Sequence, residues 1–166
     1  MKRVMVLMVL VLLLSGCSND TELETVASPC IGEPTVEPAD VSLTLPLWMP
    51  EPVLYDDLTG ELYICEDFSV SVQTLDGGNL DQTVHDSTGF GINELTVIET
   101  DHNGVSRYDL ACTVTGEESD QVVRVAIFDD GVYHYVVTAM AKASNAGAHT
   151  ETWNDIFSSI EISTAP

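Results

Sequence analysis

The chain has 166 residues, with 27 Asp and Glu against five Lys and Arg, and a formal net charge of -22. Binding to nucleic acid or to anionic lipid headgroups depends on Lys and Arg neutralising phosphates, so this balance excludes nucleic acid as a partner and makes headgroups repulsive. The acids are spread along the chain and read as a solvating surface, not as one charged block.

Lys2 and Arg3 open the chain, and Val4 to Leu14 follow as an uncharged apolar run. That order and length match a secretory signal. A membrane-crossing helix needs roughly 20 apolar residues, which this run does not reach. The run ends at Leu14-Ser15-Gly16-Cys17, which resembles the lipobox of bacterial lipoproteins. The resemblance implies a signal peptide over 1–16, cleavage before Cys17, and lipid attachment on its sulfur. Each buried methylene contributes about 0.8 kcal/mol, so two or more acyl chains would anchor the protein stably. Ser18 follows where Asp would resemble an inner-membrane retention signal, so the outer membrane is favoured in a host with two membranes.

With Cys17 acylated, Cys30, Cys65 and Cys112 remain, in a compartment that export makes compatible with disulfides. Three thiols allow at most one internal bridge. Cys112 alternates with Leu110 and Val114 and reads as a buried thiol. Cys65 has the opposite parity from Leu62 and Ile64, which makes Cys30 with Cys65 the preferred pair.

Residues 17–40 read as an acidic tether. Pro29, Pro34 and Pro38 lie among acids with few large apolar side chains, a composition that favours extension over packing. From residue 41 the pattern becomes that of a domain, 41–166. Val41, Leu43 and Leu45 alternate up to Pro46, which predicts a strand, and further strands are expected near 52–56, 61–66 and 68–75. A short helix is expected over 79–87, from Leu80 and Val84 at an i, i+4 spacing, interrupted near Gly89 and Gly91. Four strands follow at 94–100, 105–115, 121–128 and 132–142. The turns His102-Asn103-Gly104 and Asp129-Asp130-Gly131 favour tight hairpins, so an antiparallel meander is expected. Both parities of the last two strands are largely apolar, which calls for cover on both faces. Trp153, Ile156, Phe157 and Ile160 supply an amphipathic stripe on a helix over 148–160, before a short strand at 161–162.

The opening Leu45-Pro46-Leu47-Trp48, the strand to Leu75-Asp76-Gly77-Gly78, the turn at His102 with Tyr108 beyond it, the hairpin at Asp129 and the terminal Trp153 to Ile160 helix together resemble the PsbP-like superfamily. That superfamily includes photosystem extrinsic subunits, Ran-binding Mog proteins, and DcrB-like and LpqN-like envelope lipoproteins. The resemblance implies an α+β fold, an α/β/α sandwich around a central antiparallel sheet, used chiefly to bind proteins. The sequence departs from that pattern in a weak first helix, interrupted near Gly89 and Gly91, which puts in doubt any function that relies on that helical face.

Chemistry is sparse. His85, His102, His134 and His149 fit no metal-ligand spacing, and no cysteine pair has zinc-ligand spacing. His134 shares a face with Val132 and Val136 and reads as a hydrogen-bonded core histidine; His102 falls in a turn, and His85 and His149 on helical surfaces. Gly104-Val105-Ser106-Arg107-Tyr108 lacks the second glycine of a nucleophile elbow. Asp76, Asn79 and Asp81, and then Glu117, Glu118 and Asp120, are oxygen-rich turns without the calcium-loop pattern. No catalytic, cofactor or metal residue is therefore assigned. The expected function is that of a non-catalytic, lipid-anchored extracytoplasmic lipoprotein, binding the membrane through its lipid and an envelope protein through its domain. A carrier of a divalent cation or small ligand through surface carboxylates is the alternative, and an extracytoplasmic hydrolase the third reading.

Overall fold

The computed structural model describes residues 36–54, 60–116 and 118–163. The signal segment, Cys17, Cys30 and most of the tether lie outside the described residues. One compact unit starts at Val36.

Its elements are β1 (Asp40–Ser42), β2 (Val53–Leu54), β3 (Gly60–Ile64), β4 (Phe68–Asp76), α1 (Leu80–Thr88), β5 (Val97–His102), β6 (Val105–Val114), β7 (Gln121–Asp129), β8 (Tyr133–Lys142), α2 (Thr150–Ser158) and β9 (Glu161–Ser163). Seven strands form one antiparallel sheet in the order β2-β3-β4-β8-β7-β6-β5. The expected meander is its β5 to β8 half. Here β4 joins the meander beside β8, so the first and last halves of the domain meet at the centre of the sheet.

The period of two along β7 explains where the core sits. Ala126 and Phe128 point to one face, where they pack with Trp153, Ile156 and Phe157 of α2. Val123, Val125 and Ile127 point to the other, where Val84 of α1 joins them. Each face of the sheet thus carries one apolar cluster, and each cluster contains one helix. This is the mostly antiparallel α+β arrangement that the sequence pattern predicts.

Several expectations change in detail. The strand expected over 41–45 ends at Ser42 and pairs with β9 in a separate ribbon, outside the main sheet. Beyond it the Thr44 amide donates to Ser159 Oγ at 2.8 Å, while Leu43 and Leu45 pack on the core instead of extending a ladder. In β3 the expected parity is reversed. Tyr63 and Cys65 pack toward the α2 cluster, whereas Ile64 is 57% exposed. Tyr63 lies opposite core Val70, so its side chain must take the same face.

Helix α1 is not interrupted by its glycines; they end it. Asn79 Oδ1 accepts from the Asp81 amide at 3.0 Å to cap the start, and Gly89 adopts φ 79° with its N–H donating to His85 O at 2.7 Å. Asp81 Oδ1 then accepts from the Ile92 amide, fastening a short 3-10 turn, Ile92–Glu94, to the helix.

A second glycine is required by proximity. Gly77 N donates to Val132 O at 2.7 Å, and a Cβ at position 77 would stand 2.4 Å from that same oxygen. Gly77→Ala is expected to cost about 2–3 kcal/mol through forced backbone movement, read as a lower urea midpoint. A loss under about 0.5 kcal/mol would show that this junction is not tight.

Candidate functional site

Residues 46–50 form a tight bend, closed by the Met49 amide donating to Pro46 O at 2.9 Å. The bend carries Leu47 and Trp48 outward, at 106% and 62% exposure. Proline cannot donate to a ladder, so Pro46 and Pro50 bound this segment and keep it out of the sheet. Beside it, β3 turns into β4 through Cys65, Glu66 and Asp67, with the Cys65 amide donating to Phe68 O at 2.9 Å. Between the two lies a cleft of about 430 Å³ lined by Trp48, Pro50, Ile64, Cys65, Phe68 and His149, with Glu66 and Asp67 on its rim.

The floor is aromatic and fixed. Phe68 is buried and meets Trp48 edge-on at 6.0 Å, His149 at 4.7 Å and Trp153 at 6.3 Å between ring centroids. His149 stacks in turn on Trp153. It is therefore half-buried within an aromatic cluster, not a residue of an open helical surface, and among the described residues its Nε2 has no hydrogen-bond partner. Burial pushes the Cys65 thiol up, which keeps it protonated and a poor nucleophile.

Apolar exposure extends along the adjoining sheet edge. Val53 and Leu54 of β2 are 56% and 58% exposed, and a shallow recess shares Ile64, Cys65 and Phe68 with the cleft before reaching Met140 and Lys142. Five of the nine large apolar side chains most exposed among the described residues fall within residues 47–64; of these, Trp48 and Ile64 meet at the cleft, whereas Leu54 lines a groove toward the other end of β4.

A second groove, of about 580 Å³, lies at the other end of β4 and is lined by Pro38, Asp40, Leu54, Glu61, Asp76 and Tyr133. Among the described residues no three His, Cys, Asp or Glu side chains lie close enough to share a metal ion. This end instead fastens the start of the domain. Tyr133 Oη donates to Val36 O at 2.7 Å; Tyr135 Oη accepts from the Ala39 amide at 2.9 Å and donates to Asp130 Oδ2 at 2.7 Å. Ladder register sets Asp76 opposite Tyr133 and Phe68 opposite Ala141. At about 3.4 Å per residue the cleft lies roughly 30 Å along β8 from this fastening.

The fastening should respond to pH at both extremes. Burial alone would raise the Asp130 carboxyl, but hydrogen bonds from the Tyr133 amide, Tyr135 Oη and the Val132 amide outweigh it and hold the group below its ordinary value. Its contribution is present above the usual carboxylate pKa of about 3.9 and is lost as pH falls through the lower folded value. Burial and Asp130 push Tyr135 up to about 12, so its contribution is complete below about pH 10 and is lost as pH rises through the folded value. Asp130→Asn is expected to cost about 1–2 kcal/mol at pH 7, with a smaller difference from the parent at pH 3. Unfolding midpoints at the two pH values check this, and an unchanged difference would contradict it.

The remaining sequence candidates are dispersed. His134 is buried as expected, its Nδ1 2.7 Å from Thr83 Oγ1 and its Nε2 3.7 Å from Asp129 Oδ2. His85 is on the exposed face of α1, and His102 ends β5 with its ring edge-on to Phe128 instead of standing in a turn. Cys112 is half-buried against the α1-side cluster. Ser106 pairs within β6 opposite Asp129, so the Gly104 to Tyr108 stretch forms no elbow. Asn79 and Asp81 serve helix capping, as noted above. Among the described residues Cys65 is bridged to no other cysteine, and its expected partner Cys30 lies outside them.

Sequence reasoning missed Arg107 and Arg124. Arg107 forms a fork on Asp109 at 2.7 and 2.9 Å and donates to Phe157 O at 3.1 Å, while Arg124 lies over the Phe157 ring at 4.4 Å and donates to Asn154 Oδ1. Both arginines are thus committed to α2. Of the basic residues within 36–163, this leaves Lys142 on the surface.

No protein-family model matches the chain, and none of the curated proteins matches it. Solved structures do. The chain is similar to LpqN, described as involved in cell envelope biogenesis of Mycobacterium tuberculosis, at 14% identity and a TM-score of 0.50, covering 80% of this chain and 87% of that one. It is likewise similar to a variant of the protein Mog1 at 12% identity and a TM-score of 0.51, covering 75% and 92%. At these identities the likeness establishes a shared α+β fold alone.

Proposed function

We propose that the chain is a lipid-anchored, non-catalytic extracytoplasmic lipoprotein whose domain, an α/β/α sandwich, binds a protein partner in the cell envelope. Cys17 carries the lipid, residues 17–40 are the tether, and the outer membrane is the site in a host with two membranes. The observation that carries the reading is the apolar edge around Trp48, Val53 and Ile64, set in a surface that is otherwise acidic. An exposed apolar patch rimmed by charge marks a contact surface. Further support comes from the lipobox pattern and from the envelope role described for LpqN. No helix among the described residues is long and apolar enough to cross a membrane, which fits attachment through a lipid.

Within the described residues, Val36 is fastened to Tyr133, at the end of β8 away from the cleft. Mild cross-linking in intact cells, followed by purification of the full-length lipidated protein in detergent, tests the proposal. A discrete envelope protein should be enriched over an unrelated lipoprotein of similar charge. Equal recovery from both would remove the partner-binding reading.

A further inference from the structure

We propose that the cleft at Trp48 takes one large apolar side chain of a partner segment in which basic residues flank that anchor. The proposal rests on the partner-binding reading above and adds the chemistry of the occupant.

Size sets the scale of what can enter. A volume of about 430 Å³ lies toward the lower end of the range for small-molecule sites, roughly 300–1,000 Å³, which suits an anchor residue with its adjoining backbone. The floor is already ordered by Phe68, His149 and Trp153, so little side-chain freedom is lost there when an anchor arrives. Trp48 and Ile64 stand half out of the surface, where burial by a partner is still to be gained. Aromatic-walled pockets of this kind are where interface energy concentrates.

Charge selects the flanks. Glu66 and Asp67 stand exposed on the rim, and both arginines of the domain are already engaged with Asp109, Asn154 and the end of α2. Among the described residues Lys142 is the one Lys or Arg beside this surface, at the far end of the shallow recess. A basic segment is therefore attracted and an acidic one repelled. A second mature copy, without Lys2 and Arg3, brings three basic against 27 acidic residues, a net charge of -24, to the contact, and an anionic lipid surface is repelled in the same way. Of the available occupants, a cationic segment of a different protein is the one that both the cleft and its rim favour.

The test uses three synthetic peptides with the full-length protein in neutral detergent: a Phe flanked on each side by lysines, the same peptide with Gly for Phe, and the same peptide with Gln for every Lys. Trp48 emission and calorimetry report binding, and Trp48→Phe assigns the optical signal. At physiological salt the first peptide should bind at least about tenfold more tightly than either control, and Ile64→Asp should weaken it by at least about tenfold without moving the thermal midpoint. Equal binding of the glycine peptide would reduce the effect to charge alone, equal binding of the glutamine peptide would remove the charge selection, and no response to any peptide would remove both. Ile64→Asp in the cellular cross-linking experiment separates the two levels. A partner retained by that variant overturns the cleft while leaving the partner-binding reading, whereas no partner with the parent protein overturns that reading itself.

Discussion

Phe157→Ala is expected to destabilise the domain by about 3–5 kcal/mol, which is a large part of the roughly 5–15 kcal/mol that holds a typical domain together. Phe157 is fully buried between α2 and the sheet, and its ring supports the Arg124 guanidinium at 4.4 Å. Truncation would leave a cavity and deprive Arg124 of its platform, while the bond from Arg107 to Phe157 O would hold the backbone in place and limit collapse. A fall of roughly 10–20 °C in the unfolding midpoint corresponds to that loss. Phe157→Leu, which fills most of the space, should cost about 1–2 kcal/mol. A Phe157→Ala protein within 1 kcal/mol of the parent would mean that α2 does not secure its face of the sheet.

Cys17→Ala, made with residues 1–16 replaced by an ordinary cleavable secretory signal, is expected to move nearly all of the protein from the membrane fraction to the soluble extracytoplasmic fraction, with loss of the acyl mass. The reason is arithmetic. A single acyl chain gives only marginal, reversible attachment and two give stable anchoring, while the acidic domain supplies no electrostatic attraction to replace them. Fractionation with intact-mass measurement reads the result. A variant that stays at the membrane would assign retention to a partner, and the lipid anchor would fall.

Much of the fold was legible because long alternating runs leave few choices. The strands β7 and β8 announce themselves through apolar residues on both parities, and the Trp153 to Ile160 stripe supplies the helix that such a sheet requires. The insertion of β4 beside β8 was not legible, because pairing between distant strands leaves no local mark on either one. The same limit explains the reversed parity in β3: Leu62 and Ile64 are the larger apolar residues, yet the face that α2 covers takes Tyr63 and Cys65. Gly89 and Gly91 suggested interruption because a glycine that ends a helix and one that breaks it look alike until the left-handed φ is known.

The candidate site was less legible still. Trp48 stood out in the sequence as part of a family pattern, but its exposure depends on a bend at 46–49 and on the neighbouring turn at 65–67. His149 read as an ordinary surface residue because its ring partners, Phe68 and Trp153, come from a distant strand and from the following helix. The two arginines had no partners nearby in the sequence that would mark them as supports for α2.

A photo-crosslinking amino acid placed in the full-length chain at Leu47, and separately at Ile98 on the opposite sheet edge, tests the central claim most directly. Both positions are exposed and apolar, at 106% and 60%, so a merely sticky surface would trap neighbours from either. The account predicts one discrete adduct from Leu47 in the cell envelope, lost on introducing Ile64→Asp, and none from Ile98. Equal adducts from both positions, or an adduct from Ile98 alone, would contradict it.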